Sequence, residues 1–310
     1  MQKMTSGRRA APKRKPKKEW VLFFMALPFL LAVLLLNYVP LMGWSYALFQ
    51  YRPGKPLFDC AFVGTKYFKM VLTDPDILNA LKNTLIFSGI GFLLSPLPML
   101  FAICLNEISF PRFRKLTQTV TTLPHFVSWV ICYSLAFAMF SSEGVVNDLL
   151  YTKLGLLSAP SSLLTNERLV YVFQTALAQW KGLGWSSIIY IAAISGVDQE
   201  LYEAASIDGA GRFQSALHIT LPSLLPTFIV LLILSVSNFV NTGYEQYYVF
   251  KNAIVYDKIE VLDLYIYRMG MQLGDYSYAT AVGIMKSVVS VVMLAVANLL
   301  ARRVRGQSIV

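Results

Sequence analysis

The stretch that decides the fold is Glu203-Ala204-Ala205, then Gly209, then Ile219-Thr220-Leu221-Pro222. Three residues separate Ala205 from Gly209, and nine separate Gly209 from Ile219. The segment is short and polar and lies between two apolar runs. Asp198 suits the N-cap of a helix beginning near Gln199. Glu200 and Glu203 fall early in that helix, where its positive end favours them. Leu201, Ala204 and Ala205 supply a small apolar side, and Gly209 and Gly211 permit a sharp turn. Residues 212–217 can form a second short helix. Pro222 then opens the next run, with its missing amide among the orphan donors. The pattern predicts a smooth helix-turn-helix that docks, rather than a catalytic centre. A lone Glu-Ala-Ala would be an ordinary surface loop; the full 203–222 spacing is far more specific.

Composition sets the surroundings of this segment. Of 310 residues, 56% are hydrophobic and 14% charged, against about 25% charged in a soluble domain. With a mean hydropathy of +0.54, the chain reads as a membrane protein. Lys and Arg outnumber Asp and Glu by 27 to 17. The excess is concentrated at the ends, with eight basic residues before the first apolar run and Arg302, Arg303 and Arg305 after the last. No aromatic-interleaved basic face or nucleic-acid module lies between them. Cys60, Cys104 and Cys132 are scattered and form no ligand cluster, so no metal is expected.

Crossing a bilayer takes roughly 20 helical residues. Six apolar runs approach that length: 21–39, 84–105, 116–140, 171–194, 220–244 and 278–300. The first lacks a small-residue cleavage site and is read as a retained helix. The fourth is the most polar, with Gln174, Gln179 and Lys181, the last placed toward an outer edge where it can snorkel. Pro96, Pro98, Pro124, Pro222 and Pro226 imply kinks or local unwinding. The expected fold class is therefore all-α and polytopic, with six transmembrane helices. An even count puts both termini on one side. The basic tail 1–19, the basic end of the chain including 306–310, and Arg112, Arg114 and Lys115 after the second run all indicate the cytoplasm. The docking loop 195–219 is then also cytoplasmic, and 40–80, 141–170 and 245–277 are outside loops.

In an inside loop before the penultimate span, the 203–222 pattern resembles the signature of permease subunits of binding-protein-dependent ABC importers. The stretches 203–210, 265–270 and 281–287 are similar to the carbohydrate-uptake type 1 branch, specifically permeases for aldouronate, alginate or rhamnogalacturonan oligosaccharides. The likeness runs over about residues 20–305. It implies the type I importer permease fold with a cytoplasmic coupling helix. It also implies a second homologous permease subunit, two ATPase subunits, an extracytoplasmic solute-binding protein and a saccharide cargo. Glu203, Ala204, Ala205, Asp208 and Gly209 would couple to the ATPase, which would use ATP and Mg. This chain has no Walker A run and is expected to bind no cofactor itself.

The substrate path is read from polar groups in apolar runs. Ser235, Asn238, Asn241 and Glu245 fall on one face if the fifth run is a single helix. Tyr244, Tyr247 and Tyr248 sit at the same end. Such groups either hydrogen-bond to another helix or line a wet cavity. Asn and Glu suit sugar hydroxyls, and Tyr244 and Tyr248 suit the C–H faces of a sugar ring. Lys286 in the sixth run either attracts a uronate or is tethered to a neighbouring carbonyl or acid. His125 and His218 form no catalytic cluster, and Trp44, Trp129, Trp180 and Trp185 are read as interface anchors or packing residues. A permease for another small solute and an ion-coupled transporter are the alternatives. Paired buried acids, which a membrane enzyme would need, do not stand out.

Overall fold

The computed structural model describes residues 16–155 and 159–305. The N-terminal tail before residue 16, Ser158 and the 306–310 end lie outside the described residues. Helix dominates, with a single isolated bridge between Phe49 and Phe62 among the described residues. The first apolar run comprises α1 (Pro16–Val33), a wider turn at Leu34–Tyr38 and a tighter helix at Val39–Leu48. After it, α2 (Lys66–Thr73) buries Tyr67 and Val71. α3 (Pro75–Leu93) begins where Asp74 Oδ1 accepts from the Asp76 amide at 2.9 Å and Pro75 needs no donor. It turns at 94–96 into α4 (Leu97–Asn106).

α5 (Pro111–Thr122) and α6 (Trp129–Phe140) follow, then the short α7 (Val145–Asn147). α8 (Val170–Ser195) is the longest unbroken helix of the middle section, with 26 residues. α9 (Gln199–Ile207) precedes α10 (Arg212–Ser215), which continues through Ala216–Thr220 into α11 (Leu221–Ser237). α12 (Glu245–Phe250), α13 (Tyr256–Ile259) and α14 (Leu262–Tyr267) lead to α15 (Tyr276–Arg305).

Five helical runs are long and apolar enough to cross a membrane: Trp20–Leu48, Pro75–Asn106, Trp129–Lys153, Arg212–Ser237 and Tyr276–Leu299. The chain is thus an all-α polytopic membrane protein. The fourth expected span is α8, which is long enough but less apolar, because it carries Gln174, Gln179 and Lys181.

Three expectations need correction. The third run is not one helix over 116–140. It breaks at Leu123–Phe126, where Pro124 removes a donor and Ser128 starts α6 by accepting from the Ile131 amide at 3.4 Å. Lys181 does not snorkel at an edge. It lies mid-helix and donates to the Pro124 and His125 carbonyls at 3.4 and 2.6 Å, the acceptors that the break frees. The fifth run is not one helix over 220–244 either, since α11 stops at Ser237. There Ser235, Ser237 and Asn238 donate to carbonyls of the last turn, offering the backbone a local alternative to helix.

The segment 245–277 is also more than a surface loop. Val255, Ile259, Val261, Leu262, Leu264 and Tyr265 are buried against α3, α8 and α15. Asn83 on α3 donates to the Asp257 and Glu260 carbonyls at 2.7 and 3.0 Å, and Thr84 Oγ1 accepts from the Leu262 amide at 2.8 Å. These two side chains satisfy backbone that could not otherwise lie deep in the bundle. Elsewhere α8 touches the α5 backbone directly at Gly184, where a Cβ would meet Thr121 O at 2.2 Å.

Candidate functional site

The 195–219 segment folds as its sequence indicates. Asp198 Oδ1 accepts from the Glu200 amide at 3.0 Å and starts α9. The helix closes when the Ala210 amide bonds back to Ala205 O at 2.8 Å, with Gly209 at φ +80° making the reversal. Gln214 Oε1 then accepts from the Gly211 amide at 2.9 Å, starting α10. Tyr202 points inward, its hydroxyl 2.9 Å from Thr220 Oγ1, and fixes α9 against the base of α11. Glu203, Ala204, Asp208 and Gly209 are exposed, and Ala205 is half-buried. Among the described residues Glu203 makes no ion pair. Ile207, one turn after Glu203 on α9, and Phe213 on α10 are 87% and 80% exposed. A cavity of about 630 Å³ beside α9 is lined by Arg114, Gln199, Tyr202 and Arg212 among others. That places the basic start of α5 and the 195–219 segment at one end of the bundle.

The expected path residues fall at the break after α11. Ser235, Asn238, Asn241, Tyr244, Glu245 and Tyr248 are all exposed. No single helix carries them: Ser235 is in α11, Asn238 ends it, Asn241 and Tyr244 are in the unwound segment, and Glu245 and Tyr248 are in α12. Asn241 Nδ2 reaches Ser290 Oγ on α15 at 3.5 Å. Tyr244 stacks on Tyr267 with centroids 4.6 Å apart, and Lys251 Nζ lies 4.4 Å from the Tyr248 ring centroid. Lys286 forms an ion pair with Asp263 on α14. It lies about 15 Å along α15 from Tyr276 at the helical rise per residue.

Sequence reasoning missed what surrounds Ser235. This residue shares a cavity of about 460 Å³ with Ser95, Gln179, Trp185 and Ser186. Trp185 is not simply an anchor: His125 stacks flat on it, centroids 4.5 Å apart and planes within 2°. The site therefore gathers the turn at 94–96, the break at Leu123–Phe126 through His125, and the end of α11. The prolines at 96 and 124 were the available signal, but their meeting point depends on how the helices pack. Among the described residues no group of three or more His, Cys, Asp or Glu could hold a metal ion.

At the opposite end, Asp74 binds both Tyr265 Oη, at 2.8 Å, and the Tyr278 hydroxyl. Burial alone would push its carboxyl up. The Tyr278 and Tyr265 hydroxyls and the backbone amides of Asp76 and Ile77 outweigh burial and hold it below the ordinary carboxylate value. Glu260, almost fully buried, pairs with Arg268 Nε at 2.7 Å.

Residues 95–306 match the family described as binding-protein-dependent transport system inner membrane component. The chain belongs to this family. It is 37% identical over 305 residues to Protein LplB of Bacillus subtilis (strain 168), covering 97% of this chain and 94% of the relative. It is 38% identical over 287 residues to the polygalacturonan/rhamnogalacturonan transport system permease protein YteP of the same organism, covering 91% and 88%. Its fold is similar to a chain of a bacterial alginate ABC transporter solved in complex with alginate pentasaccharide-bound periplasmic protein. There the TM-score is 0.84 and the identity 34%, over 94% of this chain and 98% of that one. The protein is thus a transport permease of an ABC importer, which works with a solute-binding protein and an ATPase and is not itself the ATPase.

Proposed function

We propose that this chain is one half of a two-permease pore that imports a saccharide, driven by two ATPase subunits docked on its cytoplasmic end. The observation that carries the reading is α9: a short capped helix whose Glu203 carboxylate is exposed and without an ion-pair partner among the described residues, followed along the chain by exposed Ile207 and Phe213. Charged and apolar groups presented on a short helix and the turn and helix that follow it suit a protein cleft bearing a basic group. Ala204 and Ala205 allow close approach, and Asp208 and Gly209 shape the turn.

Six spans complete this reading, with α8 as the fourth. Its polar residues find partners inside the bundle, Gln174 with Gln246 at 2.8 Å and Lys181 with the break carbonyls, so it need not present them to lipid. Both termini and 195–219 are then cytoplasmic, and Asp74, Glu260 and Arg268 mark the outer end, where the binding protein delivers cargo.

The path runs past the polar break. Ser235, Asn238, Asn241, Tyr244, Glu245 and Tyr248 are polar and uncovered in a membrane-spanning chain, a costly arrangement against acyl chains. Water, cargo and the second permease are the surroundings that remove this cost. Lys286 stands behind that surface with its charge matched by Asp263. Trp185, backed by His125, adds an aromatic face of the kind that packs on sugar rings. A saccharide cargo, bearing carboxylates, accords with the alginate and rhamnogalacturonan systems to which the chain is similar. Direct binding of candidate cargoes to the solute-binding protein of this importer tests the cargo. Retention of acidic oligosaccharides is expected, and retention of only amino acids, peptides or metal ions would overturn it.

A further inference from the structure

Asp263 is a carboxylate in the interior of a membrane protein with two different partners. Its Oδ1 accepts from Lys286 Nζ on α15, and its Oδ2 accepts from the Gly243 backbone amide at 2.9 Å. The Lys286 and Asp263 side chains are only 11% and 17% exposed. A lone charge at this depth is costly, and attraction between opposite charges grows as the dielectric falls. Each charge therefore depends on the other. Gly243 belongs to the unwound segment between α11 and α12, whose backbone groups lack helical partners. The same segment is held to α15 by Asn241 on Ser290 and to α14 by Tyr244 stacked on Tyr267. Of these three ties, only the one through Asp263 involves a charge.

We infer that Asp263 is the positioning residue of the polar break: its carboxylate, neutralised by Lys286, fixes Gly243 and thereby sets where Asn241 and Tyr244 face the path. This rests on reading 238–248 as part of the path. Lys286 acts through Asp263 and offers no free charge to an acidic cargo. Asn at 263 would keep an acceptor for the Gly243 amide without needing a counter-charge. Removing Lys286 alone leaves a buried carboxylate unpaired, whereas removing both charges does not.

The test uses the full importer, with its ATPase and binding protein, in proteoliposomes. Lys286→Met, Asp263→Asn/Lys286→Met and Asp263→Glu are compared with the unaltered chain for uptake of acidic and neutral oligosaccharides. In parallel, Asn241→Cys is placed in each, with Cys60, Cys104 and Cys132 replaced by Ala, and its alkylation rate is measured. Lys286→Met is expected to lower uptake of both cargoes alike, by about tenfold or more, and to change the alkylation rate several-fold. The double variant is expected to recover much of both. Selective loss of acidic cargo with an unchanged alkylation rate would make Lys286 a cargo contact and overturn the proposal. A double variant no better than Lys286→Met in both readouts would overturn it too. If Lys286→Met does not assemble, Asp263→Glu decides. It keeps the charge but moves the carboxylate, so an altered KM and alkylation rate are expected, and unchanged values refute positioning. Failure of the unaltered importer to take up any oligosaccharide overturns the cargo reading alone, and the alkylation rates still judge Asp263.

Discussion

Glu203 and Gly209 show how differently two neighbouring residues in one motif act. Glu203 is exposed and contributes little to folding, since exposed substitutions usually change stability by about 0.5 kcal/mol or less. Glu203→Ala should therefore leave membrane insertion intact while weakening association with the ATPase, measured by co-purification and by transport-coupled hydrolysis. Gly209 instead supplies a backbone shape. At φ +80° a side chain costs about 1 kcal/mol, so Gly209→Val should distort the end of α9 and impair coupling through geometry. Normal transport by both variants at normal expression would remove the docking role. Asp74 gives a prediction in pH. Its folded pKa is depressed, so its stabilising contribution is complete above the ordinary carboxylate value of 3.8 and is lost as pH falls through the lower folded value. Thermal stability of the detergent-solubilised chain should exceed that of Asp74→Asn at neutral pH. The gap should close in acid, and a gap independent of pH would contradict the role of the ionised carboxylate.

Helices were legible in the sequence to the extent that their signals are local. The N-cap at Asp198 and the turn at Gly209 follow from a few adjacent residues and stand where expected, and five helical runs are long and apolar enough to cross a membrane. Continuity across 116–140 and 220–244 was not legible, because hydropathy averages over a break. Leu123–Phe126 and 238–244 are short, so the apolar residues flanking them carry the average across while the regular helix is interrupted. Asp263 was hidden for a related reason: its partner Lys286 is distant in sequence, and only folding the 245–277 segment inward brings them together. The residues expected to line a path were chosen by type, but the single helical face expected for them does not exist, because α11 stops at Ser237. The other break, at Leu123–Phe126, packs against α8, which lies directly on the α5 backbone. Gly184→Leu would drive a side chain into the Thr121 carbonyl, 2.2 Å from where a Cβ would sit. It should separate α5 from α8, displace His125 from Trp185, and reduce the yield of assembled permease well below that of Gly182→Ala, where a Cβ meets nothing within 4 Å. Equal yields would show that this contact does not hold the break.

At the scale of the molecule, the two ends of the bundle differ in chemistry, and that difference fixes the orientation to be tested. One end holds α9 and the basic start of α5, which share a cavity through Arg114, Gln199 and Arg212. The other holds Asp74 with Tyr265, Arg268 with Glu260, and Lys258 with Glu167 at 3.5 Å, where acids and bases are mixed. Short loops rich in Lys and Arg remain on the cytoplasmic side, whereas mixed-charge loops carry no such bias. The Trp20–Leu48 run, long and apolar enough to cross a membrane, has none of its apolar window buried within the chain, so lipid or a partner subunit must cover it. A cysteine at Ser206 should therefore escape a membrane-impermeant maleimide in intact cells, and one at Glu167 should react, both residues being exposed in the chain. In inside-out vesicles the pattern should invert, because the α9 end then faces the reagent. Labelling at Ser206 but not at Glu167 in intact cells would reverse the topology and place α9 where no ATPase could reach it.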